Sequence, residues 1–304
     1  MPKVANEPRN HHYAPQFFLR NFAVDEAKTR VTTLAKHEDM AIWAERSIEN
    51  IGYERDFYVH ERNGAPISVE TDINRQVETP LSESDTWAKI SSGRTDALDQ
   101  YDRPILYSLI RHLEVRTPHC EATIRDLSRM ATASESETPF SDEERVYYAM
   151  MRSNPNLAKA TLNRMSMTTL WAEESFRGAL IMVARSPIPL RSSTTPVFAL
   201  PCPPHSAMRL PLPGMTPYQL VLTLNPTTLV SLVLGDFDGA FSNQLIDSPT
   251  ARGFNRHFAG QFAKFDAVRH LISSRDNLVD DMTSASYDLI DDTPRKIMFR
   301  RRAT

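Results

Sequence analysis

Ten of the chain's 21 prolines fall between Pro187 and Pro226. Each fixes φ and lacks an amide proton, so no long helix can run through that stretch. The apolar runs beside it are short. Residues 178–184 (GALIMVA) read as a buried strand. Residues 221–224 and 229–234 bracket the turn Asn225-Pro226-Thr227-Thr228 and read as two more strands. A small, mostly antiparallel sheet is therefore expected in this part of the chain.

The stretch before the prolines has the opposite texture. Ile105, Leu106, Leu109, Ile110 and Leu113 repeat at helical spacing over residues 104–115. Pro118 opens a second helix with Ile124 and Leu127, and Ser141 with Glu144 forms a capping box for a third. Residues 156–176 carry Leu157, Ala160, Leu162, Met165 and Trp171 as a fourth. Residues 69–90 read as a helix striped by Ile73, Val77 and Leu81, kinked or restarted at Pro80. Phe254, Phe258, Phe262, Phe265, Val268 and Leu271 predict one long amphipathic helix over 248–272. Short strands are expected at 30–34 and 53–61, followed by a turn at Asn63-Gly64. The expected class is α+β: a helical central core, short N-terminal strands, and a proline-rich C-terminal sheet closed by a long helix. Residues 1–304 are expected to form a single domain, with the acidic stretch near 133–140 as the best internal boundary.

Composition narrows the function classes. Hydrophobic content of 41% and charged content of 24% are those of an ordinary globular protein. A net charge of −3 argues against holding nucleic acid by bulk electrostatics, though not against a local basic groove. Two cysteines and no C-x-x-C exclude a disulfide framework. The N-terminus is polar, and the most apolar stretch, 218–237, is interrupted by Asn225-Pro226 and Thr227-Thr228. The expectation is a cytoplasmic protein without a membrane span. No G-x-G-x-x-G, Walker loop, H-E-x-x-H or G-x-S-x-G occurs. Gly235–Gly239 reads as a turn rather than a calcium loop. The tail RKIMFRRRAT, with Arg300-Arg301-Arg302, is read as solvated and mobile rather than as a contact for nucleic acid.

The densest chemistry lies in residues 10–23, NHHYAPQFFLRNFA. Pro15 suits the first turn of a short helix on which Gln16 and Arg20 share a face. His11 and His12 then stand beside the helix N-terminus, where free N–H groups favour an anion. Neutral histidine also suits a general base near pH 7. Glu70, Asn74 and Glu78 step by four along one helix face, where two carboxylates either bind a divalent cation or are solvated. Arg116 sits at a helix junction suited to holding phosphate or to capping carbonyls.

The pattern His-His-Tyr-x-Pro-Gln-x-x-Leu-Arg-x-Phe-Ala resembles the opening motif of domain-of-unknown-function family 4238 (DUF4238). Asn50, Asp56-Phe57-Tyr58, Glu70, Glu78 and Arg116-Thr117-Pro118 follow in the family's order, and the resemblance extends over roughly residues 11–269. At Ser193-Thr194-Thr195-Pro196-Val197 the family carries Ser-Asp-Asn-Pro-Val, so the chain lacks its acidic residue at Thr194. The resemblance implies no established activity.

These residues predict a hydrolase of phosphodiesterase or nuclease-like kind, acting on nucleic acid or a phosphate-bearing small molecule. In that reading His12, with His11 beside it, supplies the general base and Asp56 orients it. Arg20 and Arg116 hold phosphate oxygens, Gln16 completes the polar set, and Glu70 and Glu78 bind magnesium or manganese. The alternatives are a non-catalytic anion- or protein-binding module and a purely architectural polar network.

Overall fold

The structure, a computed structural model, describes residues 10–133, 140–168, 177–208 and 216–303. Its α+β architecture rests on two larger sheets and a helical layer. The six-stranded sheet runs in the order Tyr287–Thr293, Lys296–Arg301, Met40–Ser47, Arg30–His37, His270–Ile272, Ser192–Ser193, antiparallel throughout. N- and C-terminal strands thus share one sheet instead of forming separate groups. One face carries Leu34, Trp43, Leu271, Ile297 and Phe299, which bury Phe258 and Phe262 of the Ser248–Lys264 helix. The other face gives Val31 and Ile272 to the main core, with Tyr13, Phe18, Ile48 and Ile51.

The five-stranded sheet runs Phe241–Leu245, Leu180–Arg185, Thr228–Val233, Tyr218–Asn225, Val197–Pro201. Its first pair is parallel and the rest are antiparallel. Alternation sorts its residues cleanly. Ile181, Val183, Leu220, Leu222, Val230 and Leu232 face the main core, where Leu106, Leu109, Ile110 and Leu113 of the Arg103–Val115 helix meet them. Ala184, Val221 and Leu229 face the opposite way, onto Leu190 and Ala251. Arg191, 1% exposed, anchors the junction between the sheets. It donates from Nε and Nη2 to Asp281 at 3.0 and 2.6 Å, and its amide donates to Asn255 at 2.8 Å.

Several expected elements change on folding. The strand over 53–61 is two strands, Tyr53–Arg55 and Val59–Arg62, separated at Asp56 with φ +55°. The Val59–Arg62 strand pairs with Ala65–Ser68 across the Asn63-Gly64 turn. The helix over 69–90 is broken twice. Glu70–Ile73 passes into a π turn, Asn74–Glu78, then Thr79–Ser82; Ser84 caps a separate helix, Asp85–Ser91. Pro80 has no amide to offer the Gln76 carbonyl, and the widened turn lies where that bond would have closed. The long C-terminal helix stops at Lys264 because Phe265 turns extended, and Val268 and Leu271 enter the same core from a loop and a strand. The basic tail is not free. Lys296–Arg301 is an inner strand of its sheet, and Arg302 Nε donates to Asp288 at 2.7 Å. Residues 134–139, at the expected boundary, and 169–176, including Trp171, lie outside the described residues.

Candidate functional site

The N-terminal motif is fixed from three sides. Asn10–His12 pairs antiparallel with Tyr53–Arg55. The Ala14 amide donates to the Gly52 carbonyl at 3.0 Å. Gly52 has φ +66°, and a Cβ there would stand 2.7 Å from the Ala14 Cβ, so the close approach requires glycine. Pro15 is the N-cap of the single-turn helix Gln16–Leu19, and Phe18 and Leu19 bury fully. Alternation along Asn10–His12 then buries His11 and turns His12 towards solvent.

Arg116 is the hub beneath. It is 2% exposed. Its Nε donates to the Tyr58 hydroxyl at 2.8 Å and its Nη1 to His112 Nε2 at 2.8 Å. Nη1 also pairs with Glu78, and Nη2 donates to the His12 carbonyl. Because an arginine only donates, His112 Nε2 must accept. Its Nδ1–H therefore donates to the Ser166 carbonyl at 3.1 Å. Burial, with the adjacent guanidinium, pushes the His112 pKa down and keeps this tautomer neutral. Burial alone would raise the Glu78 carboxyl, but the Arg116 guanidinium paired with it outweighs burial and the group lies at about 2. Glu78 is ionised.

The two adjacent histidines play different parts. The Tyr58 amide donates to His11 Nδ1 at 2.9 Å, which places the ring proton on Nε2, 3.3 Å from Glu70 Oε2. His11 has no spare lone pair to act as a base, and its ring stacks on Tyr58. His12 is half-buried. Its ring donates to the Glu49 carbonyl, and its Nε2 lies 3.5 Å from Gln16 Nε2. Burial lowers the His12 pKa, as does Arg116, against weaker opposition from Glu49 and Glu78. The result is a neutral imidazole with one nitrogen held by a carbonyl and the other beside an amide in an open cleft.

That cleft holds about 460 Å³; its polar lining is Asn10, His12, Gln16, Glu70, Asn74 and Glu78, and Pro15, Phe17, Thr79 and Ser82 line it as well. Four successive residues overshoot a full α-helical revolution by about 40°. The wider π turn between Asn74 and Glu78 counters that drift, so Glu70, Asn74 and Glu78 all reach the same wall.

Of the expected site residues, the structure gathers His12, Gln16, Glu70 and Glu78 around the cleft, with His11 and Arg116 supporting it from the core. Arg20 is exposed and does not line it. Asp56 stands apart as well, its carboxylate 3.6 Å from Arg55 and its carbonyl accepting from Lys159 at 3.0 Å. Sequence reasoning missed His112, although it stands four residues before Arg116 on one helix and so shares its face. Among the described residues, no three His, Cys, Asp or Glu side chains gather to hold a metal ion.

An α+β chain built around an arginine-centred polar hub beside a histidine-bearing cleft is the class this geometry defines. The chain belongs to the family described as protein of unknown function, DUF4238, whose model matches residues 10–213. The match spans the whole hub and ends before the 269 expected from the resemblance. No curated protein and no solved structure matches the chain. Among the described residues, no helix is long and apolar enough to cross a membrane.

Proposed function

We propose that the cleft is the site of a hydrolase acting on a phosphate-bearing substrate, with His12 as general base. The observation that carries this reading is the His12 ring itself, neutral, oriented through the Glu49 carbonyl and open to the cleft at Nε2. A water between Nε2 and a bound phosphoester would give its proton to His12 as it attacks phosphorus; the ester P–O bond would break and the departing oxygen take a proton from solvent, while the Gln16 amide would steady the attacking water. Arg116 offers no clamp for phosphate, because its partners are Glu78, Tyr58, His112 and the His12 carbonyl. Positive charge must come with the substrate. Glu70, Asn74 and Glu78 present hard oxygen donors on one wall, which fits a magnesium or manganese ion shared with substrate phosphate rather than a resident protein cage. When bound, such an ion would neutralise charge on the phosphoryl oxygens.

The expected outcome is magnesium- or manganese-dependent cleavage of a phosphodiester or phosphomonoester. His12→Asn should lower kcat by about 10²–10⁴-fold, the usual worth of a general base, at an unchanged Tm. Failure to turn over DNA, RNA, nucleotides or aryl phosphates with either metal, or full activity in His12→Asn, would remove the proposal. The saturation of Arg116 by internal partners favours a second reading, in which the hub is architectural and the cleft only binds. That reading predicts ligand-induced thermal shifts without turnover.

A further inference from the structure

The face of the six-stranded sheet that meets the main core carries a second polar cluster, none of whose residues lines the cleft. On the face opposite the Phe258–Phe262 helix, Val31, Thr33, Ala35 and His37 of one strand stand opposite Arg46, Ala44, Ile42 and Met40 of the next. On the other side, Ala35 stands opposite His270 and Thr33 opposite Ile272. Side chains at paired positions share a face, so Arg46, Thr33, His37 and His270 rise from the same side of three adjacent strands. Arg46 leans back along its own strand, and its Nη2 makes a long contact of 3.4 Å with the Ile42 carbonyl. Ile42 lies opposite Ala35, and Ala35 opposite His270, so the lean carries the guanidinium past Thr33 towards the imidazole.

Three polar atoms in this cluster are buried without a partner: Arg46 Nε, Thr33 Oγ1 and His270 Nδ1. Thr33 is 0% exposed. Buried polar atoms are almost always hydrogen-bonded, so three together on one face call for a partner that fits all of them. The charge is one-sided. After burial, the groups that hold the His270 pKa down, to about 4, are Arg46, Arg269 and His37. Burial is the cause acting on Arg46, and among the described residues no carboxylate is set against it. Arg269 reaches Glu54 at 3.1 Å, on the exposed side.

We propose that Arg46, Thr33 and His270 form a binding site for a phosphate group. A guanidinium fork, a hydroxyl and an imidazole N–H are three separate donors, which suit a tetrahedral anion with several free oxygens better than a carboxylate with two. Arg269 adds positive charge at its edge. The site is distinct from the His12 cleft and stands whether or not that cleft is catalytic.

The test is titration of the full chain with inorganic phosphate, read by NMR at the histidine ring protons. The expected result is a saturable shift at His270 that disappears in Arg46→Gln and persists in His12→Asn. Thr33→Val keeps the shape of a buried side chain and removes only the unpartnered hydroxyl. It should fold normally and weaken binding several-fold, which keeps the test decisive if Arg46→Gln does not fold. A phosphomonoester titrated in parallel separates the sources. Tighter binding of the ester assigns the site to a ligand-borne phosphate, and tighter binding of the inorganic ion assigns it to free phosphate. The proposal is overturned if wild type shows no saturable shift at His270, if acetate produces the same shift as strongly, or if Thr33→Val and Arg46→Gln bind phosphate as wild type does.

Discussion

Arg116 spends its donors on four partners that come from four separate parts of the chain. Removing it strands an ionised Glu78 against a buried wall, so Arg116→Ala should cost about 3–5 kcal/mol, measured by urea denaturation. Arg116→Lys should restore only part of this, since a point charge cannot replace a planar fork. A loss below about 1 kcal/mol for the alanine variant would mean that the hub is not a buried ion pair in solution. Which residues carry polar chemistry was legible in the sequence, because His11, His12, Gln16, Glu70, Glu78 and Arg116 meet in one region. Their roles were not. Two neighbouring histidines in one strand differ because alternation buries one and exposes the other, and the Tyr58 amide occupies the lone pair of His11. Asp56 looked equally suited to a role, but a left-handed turn carries it out of the cleft.

The elements show where periodicity misleads. Val268 and Leu271 continue the phenylalanine stripe at helical spacing, yet the helix ends at Lys264. Burial in one core requires that apolar residues arrive at the same place, not that a single helix deliver them. Phe258 is 1% exposed and packs edge-on to Phe198 with centroids 5.1 Å apart. Phe258→Ala should therefore destabilise by about 3–5 kcal/mol. Phe254, at the margin of another cluster, should cost clearly less when truncated, and equal losses in thermal melts would contradict this packing. The π turn at Asn74–Glu78 had a sequence cause in Pro80, but its position before the proline, and its effect of keeping Glu70 and Glu78 on one wall, follow from packing Ile73, Val77 and Leu81 into the same core.

For the whole molecule, acid should be the sensitive direction. His112, His270 and Glu78 all have lower pKa values folded than free. In each case the unfolded chain binds the proton first, so stability rises with pH through the gap. The His270 contribution is present above its free value of 6.5 and is lost as pH falls towards about 4. The Glu78 contribution is present above 4.5 and is lost as pH falls towards about 2. Urea midpoints measured stepwise from neutrality downwards should fall in both windows, and a flat profile to below pH 4 would contradict the buried network.

Composition and pattern alone determined the α+β class, the helical run before the prolines, the hairpin around Asn225-Pro226, the family and the region that gathers polar chemistry. These follow from local rules, namely the missing amide of proline, the spacing of apolar residues and the residue types that move protons. Only the tertiary structure decided that the last strand, Lys296–Arg301, lies beside Met40–Ser47, so that a basic tail becomes the interior of a sheet. It also decided that Arg116 turns inward while Arg20 stays out, and that Arg46 and His270 share a face. Pairings between residues more than two hundred positions apart have no local signature, because they are selected by which faces the whole chain can bury together.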